Sequence, residues 1–301
     1  RLGYRKSWIL LSQISIAICL LLLSIVNPLD SLQVFAFIAF LVAFSGSVQD
    51  IAIDAFRIEL ADLNQQGNLA ASYQFGYRMA ILISSSFALI FASDYGWTLT
   101  YQVMSLLMLI GIIGVLICPE EVNVNLKRLT LQNSIVEPLK DFVRRFGLYF
   151  ASFLLMIVAT YRLTDIVMGP MASPFYLEKG YTLKEIGYIV KVVAVIASIV
   201  GFFLGGLLVK RLGVKVTLII GAFLVLMTNL SFSLVAILEK DLYLLGWVVG
   251  ADSLAAGVVG TANITFLTSL VSKKYTAVQY ALLTSFMTVS YTHLRAHETY
   301  D

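Results

Sequence analysis

Asp50, Asp54 and Arg57 stand at i, i+4 and i+7 in the stretch Gln49-Asp50-Ile51-Ala52-Ile53-Asp54-Ala55-Phe56-Arg57. At about 100° per residue they fall within roughly 40° of one another on a helix, so two carboxylates and a guanidinium share one stripe. Two acids one turn apart can hold a proton between them. Burial and a nearby cation are the levers that would tune them for proton transfer. The competing arrangement pairs Asp54 with Arg57 as a gate or a helix-packing link and leaves Asp50 as the proton carrier. An ionisable group at mid-bilayer costs about 3 kcal/mol on insertion scales. If the helix crosses a membrane, its stripe must face protein or water.

The surrounding composition says that it does cross. Hydrophobic residues make up 59% of the 301 and charged ones 13%, and the mean hydropathy is +0.88. Charged residues are at about half the soluble norm. Nine apolar segments, about 7–26, 32–56, 71–93, 97–118, 148–172, 184–208, 214–237, 241–270 and 275–290, are candidate spans. Tight turns are expected at Asn27-Pro28-Leu29-Asp30 and Asp94-Tyr95-Gly96. The one long polar connection, 119–147, repeats Leu131, Ile135, Leu139, Phe142 and Phe146 at helical spacing. It reads either as an amphipathic helix on the membrane surface or as a plain linker. Cys19 and Cys118 lie in or at the end of apolar segments and read as small hydrophobes, not as a disulfide or metal pair.

Alternate loops carry Arg1, Arg5 and Lys6; Arg57; Lys127, Arg128, Lys140, Arg144 and Arg145; Lys210, Arg211 and Lys215; and Lys273 with Lys274. The opposite loops carry only Lys179, Lys184 and Lys240. By the positive-inside rule the first set is cytoplasmic. The net charge of +3 therefore follows topology and does not point to nucleic acid. A shift of 210 residues lays Arg1-Leu2-Gly3 on Arg211-Leu212-Gly213, and the following spans and turns keep step. Two parallel repeats divided by a central polar connection are the pattern of a two-bundle secondary transporter. The repeat partners of Asp50 and Asp54 are Gly260 and Ile264. A helix in that place packs without acids, which argues that the acids serve function and not folding.

Gly205-Gly206-Leu207-Leu208-Val209-Lys210-Arg211-Leu212-Gly213-Val214-Lys215 resembles the signature between the second and third helices of each half of major facilitator transporters. Within that superfamily the chain resembles the AmpG-type anhydromuropeptide permeases. The likeness is carried by the 49–57 stretch, Gly76-Tyr77-Arg78-Met79, Tyr161-Arg162-Leu163-Thr164-Asp165, Glu185-Ile186-Gly187 with Lys191, Gly260-Thr261-Ala262 and Gln279-Tyr280-Ala281-Leu282-Leu283. The resemblance implies an all-α polytopic membrane protein, a major facilitator fold of two pseudo-symmetric six-helix bundles. On that basis 1–118 holds helices three to six and 119–147 is the cytoplasmic linker. Residues 148–289 hold helices seven to ten and part of eleven, so about nine helices are present and the chain reads as a fragment.

The implied activity is proton-driven import of GlcNAc-anhydroMurNAc and its peptides across the bacterial inner membrane for peptidoglycan recycling. The proton gradient is the driving force and no cofactor is needed. The expected surroundings are the lipid bilayer, the muropeptide and protons, around a monomer. A related permease for acetyl-CoA or another anionic metabolite is the nearer rival. An enzyme would need a nucleophile with its base or a metal cluster, and the sequence offers neither. A passive channel is the other alternative.

For a cargo bearing carboxylates, cations along the path are expected, with arginine able to hold a carboxylate bidentately. The candidate substrate contacts are Gln49, Tyr73, Arg78, Tyr161, Arg162, Asp165, Lys191 and Asn263. Pairing between helices, such as Asp165 with Arg162 or Lys191, explains the same charges equally well. Arg57, Gly206, Lys210, Arg211 and Gly213 are candidate gate or conformational-motif residues, and Asp252 is a further acid outside any matched stretch. From Ser290 onward the chain turns polar where a span should continue, so 290–301 reads as a non-native tail. Both histidines fall there and are set aside.

Overall fold

The computed structural model describes residues 3–119, 131–161, 172 and 174–297. The described residues are helical apart from their connections. In chain order the helices are α1 (Tyr4–Ile25), α2 (Leu32–Leu60), α3 (Leu63–Leu82), α4 (Ala88–Tyr95), α5 (Trp97–Ile117), α6 (Leu131–Phe146), α7 (Leu148–Thr160), α8 (Leu183–Tyr188), α9 (Ala194–Leu212), α10 (Val214–Ile237), α11 (Leu242–Leu270) and α12 (Thr276–His297). Single π-helical turns, Ile83–Phe87 and Ile189–Val193, join α3 to α4 and α8 to α9. Six of these helices are long and apolar enough to cross a membrane: α1, α2, α5, α9, α10 and α11.

Local sequence accounts for the boundaries. Asn27 closes the turn after α1, accepting from Leu29 N at 3.1 Å and donating to Asp30 Oδ2 at 2.9 Å. Gly213 ends α9 and starts α10 at φ +83°, a conformation that glycine adopts without strain. Tyr4, Leu32 and Leu60 bound α1 and α2, and each lies 210 residues before Val214, Leu242 and Leu270, which bound α10 and α11. The repeat expected from hydropathy is thus a repeat of helix ends. Several boundaries differ from the expectation. The second span runs on to Leu60, the third begins at Leu63 and contains a π turn, and the last helix continues to His297, since 290–297 holds no Gly or Pro to stop it.

The chain forms two compact units. The first holds α1, α2, α5 and the chain from Tyr77 through α4. In it α1 packs on both α2 and α5. Cys19, Leu23 and Ile38 form a buried cluster, so Cys19 is the small buried hydrophobe expected. Ser15 and Ser45 share a hydrogen bond at 3.0 Å, and Ser105 donates to the Ala17 carbonyl at 2.8 Å. Lys6, counted above as a loop charge, is buried, and its Nζ donates to the carbonyl of Cys118, the residue that caps α5. A cation at a helix C-terminus satisfies a free carbonyl and opposes the helix dipole.

The second unit holds Asp62–Gly76 and everything from α6 on. Its tightest packing is α9 against α11. A Cβ on Gly205 would sit 2.9 Å from the Val258 carbonyl oxygen, and one on Gly201 would collide with that of Leu254. The next residue, Gly206, points to α3 instead, where a Cβ would meet the Gly67 carbonyl oxygen at 3.0 Å. Adjacent glycines about 100° apart therefore serve two different helices, the small-residue packing typical of spans. Thr261 Oγ1 donates to the Phe202 carbonyl at 3.2 Å across the same α9–α11 seam.

Candidate functional site

α2 carries the acid stripe. It is 29 residues of mostly apolar sequence ended by Ala61, which is extended at φ −144°. Within its last three turns Asp54 Oδ1 lies 3.5 Å from Arg57 Nη2, with side chains 16% and 6% exposed. One turn earlier Asp50 is exposed, and no ion pair to it occurs among the described residues. Gln49 is half-buried, and its Oε1 is buried without a hydrogen-bond partner among the described residues. The stripe is thus divided into a carboxylate held by a buried guanidinium and a carboxylate open to its surroundings. A buried cation beside an acid keeps that acid's charge tolerable at the cost of its freedom.

A second ion pair, between residues 54 positions apart, closes the same end of the unit. Arg5 Nη2 meets Glu59 Oε1 at 2.9 Å and its Nε meets Oε2 at 3.3 Å, joining the start of α1 to the end of α2. The side chains are 14% and 12% exposed, and the fork-on-fork geometry is the strong form of such a pair. The signal for it was opposite charges at the facing ends of consecutive helices.

The remaining candidates lie on several elements. Tyr73 is half-buried and Arg78 exposed on α3. Tyr161 donates its hydroxyl to the Leu218 carbonyl at 2.8 Å, a contact that holds the end of α7 to α10. Asn263 is 3% exposed; its Nδ2 lies 3.4 Å from Met287 Sδ, and its Oδ1 is buried without a hydrogen-bond partner among the described residues. Lys191 falls in the π turn Ile189–Val193, a backbone irregularity often found at functional sites. Arg162 and Asp165 lie outside the described residues. Of the gate candidates, Gly206 packs on α3, Gly213 makes the α9–α10 corner, and Lys210 and Arg211 are exposed in the last turn of α9. Lys210 lines a polar recess with Asn64, Gln65 and Asn68. Asp252 accepts a hydrogen bond from Thr228 Oγ1 at 3.0 Å, which ties α11 to α10.

A buried amide that was quoted only as part of a motif proves to be a hub. Gln279, 3% exposed, accepts from Arg145 Nη2 at 3.0 Å and from Ser272 N at 2.7 Å. It donates to the Pro138 carbonyl at 2.8 Å and to Asp141 Oδ2 at 3.0 Å. Arg145 also donates to Asp141 Oδ2 at 3.0 Å and to the Leu270 carbonyl at 3.0 Å. The polar connection between the halves therefore contains a helix, α6, docked on α12 and on the α11–α12 turn.

Known sequences resemble this apolar, multi-helix chain over nearly its whole length. The pattern of the Major Facilitator Superfamily matches residues 1–292. Putative transporter AmpG 4 of Rickettsia conorii is 35% identical over 292 residues, which is 95% of this chain and 70% of that protein. Putative transporter AmpG 1 of Rickettsia bellii is 31% identical over 294 residues, 96% of this chain and 72% of that protein. The anhydromuropeptide permease of Escherichia coli is 31% identical over 289 residues, 95% of this chain and 58% of that protein. The chain is therefore a multi-pass membrane protein that belongs to the major facilitator superfamily of transporters, in its AmpG-type group.

Proposed function

We propose that this chain belongs to a proton-coupled permease that imports GlcNAc-anhydroMurNAc and its peptides across a bacterial inner membrane. The observation that carries the coupling is the divided stripe of α2, an open Asp50 one turn from an Asp54 held by Arg57. Asp50 exchanges the proton. Asp54 and Arg57 lock the end of α2, and a change of charge at Asp50 biases the two states of an alternating-access cycle. The likeness to the anhydromuropeptide permease of Escherichia coli supports the muropeptide as cargo. Arg78, an exposed cation on α3, suits the free carboxylates of the peptide stem. The basic loops, the α6 connection included, face the cytoplasm on this reading.

The test is uptake of radiolabelled anhydromuropeptide into cells lacking their own permease, with the full-length protein expressed. Uptake should collapse with a protonophore, and Asp50→Asn should abolish it while expression is kept. Uptake by Asp50→Asn with an unchanged pH profile would remove Asp50 from the mechanism, and uptake indifferent to the protonophore would leave a channel. Uptake of labelled acetyl-CoA that excess muropeptide leaves unchanged, with no uptake of labelled muropeptide, would replace the cargo with the rival anionic metabolite.

A further inference from the structure

We propose that α6 is an interfacial helix whose Ile135–Leu139–Val143 face lies in the bilayer surface, with Lys140 and Arg144 holding acidic lipid headgroups. At about 100° per residue the side chains of α6 divide into separate arcs. One arc, Pro138, Asp141, Phe142 and Arg145, is spent on the protein: Pro138 and Asp141 bond Gln279, Arg145 bonds Gln279 and the Leu270 carbonyl, and Phe142 is 6% exposed. The adjoining arc is apolar, with Ile135 57%, Leu139 46% and Val143 38% exposed and no described residue of the same unit packed over it. Beyond it come Lys140 and Arg144, both exposed, and then Glu137. A helix docked sideways on a membrane protein needs this order: apolar residues toward lipid, cations at headgroup level, an acid toward water.

The path of the chain supplies the orientation. It bends by 107° between Ile135–Phe146 and Leu148–Thr160, so α6 runs nearly across the direction of the apolar helix that follows it. Gly147, at φ +73°, makes the corner. Aromatic residues gather there: Phe146 packs on Phe150 with centroids 6.2 Å apart, and Tyr149 is 94% exposed. Tyrosine and its neighbours at such a level mark a membrane–water interface. The ion pair of Lys140 with Glu137, 3.6 Å between groups 56% and 36% exposed, is a weak surface contact that a headgroup phosphate can replace. The occupant is thus a lipid surface of negative charge. The hydrogen bonds of Gln279 keep α6 fixed to the second unit while it lies there.

The test uses the full chain with Cys19→Ser and Cys118→Ser, spin-labelled singly at Leu139→Cys or Glu137→Cys and reconstituted in vesicles of phosphatidylglycerol and phosphatidylcholine. The label at 139 should collide with oxygen and be shielded from a water-soluble nickel chelate, and the label at 137 should show the reverse. Val143→Cys reads the same stripe should a label at 139 disturb the fold. A photoreactive phosphatidylglycerol should mark the α6 peptide in preference to its phosphatidylcholine equivalent. Each cation at an acidic surface is worth about a fivefold preference, so Lys140→Gln with Arg144→Gln should cut that selectivity roughly 25-fold. Nickel access at 139 equal to that at 137 would overturn the proposal, as would shielding from both reagents, the mark of a protein cover. Equal marking by the two lipids would overturn the assignment of acidic headgroups.

Discussion

Asp54 Oδ1 and Arg57 Nη2 face each other across 3.5 Å on the last turns of α2, and neither side chain is more than 16% exposed. Breaking such a pair leaves a buried guanidinium short of one counter-charge, at a cost of about 3 kcal/mol. Asp54→Asn should therefore lower the melting temperature in detergent. Asp50→Asn, at an exposed position, should stay within about 0.5 kcal/mol of the parent. Equal losses in thermal unfolding of the two variants would contradict the division of the stripe.

The α9–α11 seam makes a second prediction. Gly201→Ala places a methyl against the Leu254 carbonyl oxygen and the Gly257 backbone, so the helices must part. Overpacking of this kind costs about 1–3 kcal/mol. Gly246→Ala, on α11 with nothing within 4 Å of a built Cβ, should be tolerated or slightly stabilising. Thermal unfolding of the two single variants, side by side, checks it.

Gln279 satisfies four polar groups at once. Gln279→Ala leaves them to find other partners, at about 1–3 kcal/mol, and should release α6. Hydrogen exchange across Leu131–Phe146 should accelerate, with α10 unaffected. Unchanged exchange in α6 would show that the aromatic contacts of Phe142 and Phe146 suffice to hold it.

A fourth prediction concerns pH. Glu185, in the first turn of α8 and ahead of the spanning helix Ala194–Leu212, is held down to about 2 from an ordinary 4.5. The causes are the Thr182 backbone N–H first, then the Lys240 ammonium, then the Thr182 hydroxyl. A depressed carboxyl contributes stability that is fully present above its ordinary value and is lost as pH falls through the folded value. The tie between α8 and the α10–α11 connection should therefore loosen between about pH 4.5 and 2. Protease sensitivity of the 238–242 connection should rise over that window, and Glu185→Gln should flatten the response.

By itself the sequence determined the class of molecule, six of its nine candidate spans, the turn at Gly96 and the repeat. All of these are local or periodic properties, visible because a span must satisfy its backbone internally and hide its charges. The stripe of α2 was legible for the same reason, since Asp50, Asp54 and Arg57 need only one helix to line up. Which acid the arginine holds was decided by the folded packing, because it depends on what else buries Arg57. Lys6 and Gln279 show the larger gap. Lys6 finds its carbonyl at Cys118, and Gln279 its partners at Pro138, Asp141 and Arg145. Such partners are far along the chain, and no periodicity predicts them. Only the tertiary structure, by bringing α12 to α6, turned a motif glutamine into a clamp and left Ile135, Leu139 and Val143 of α6 exposed.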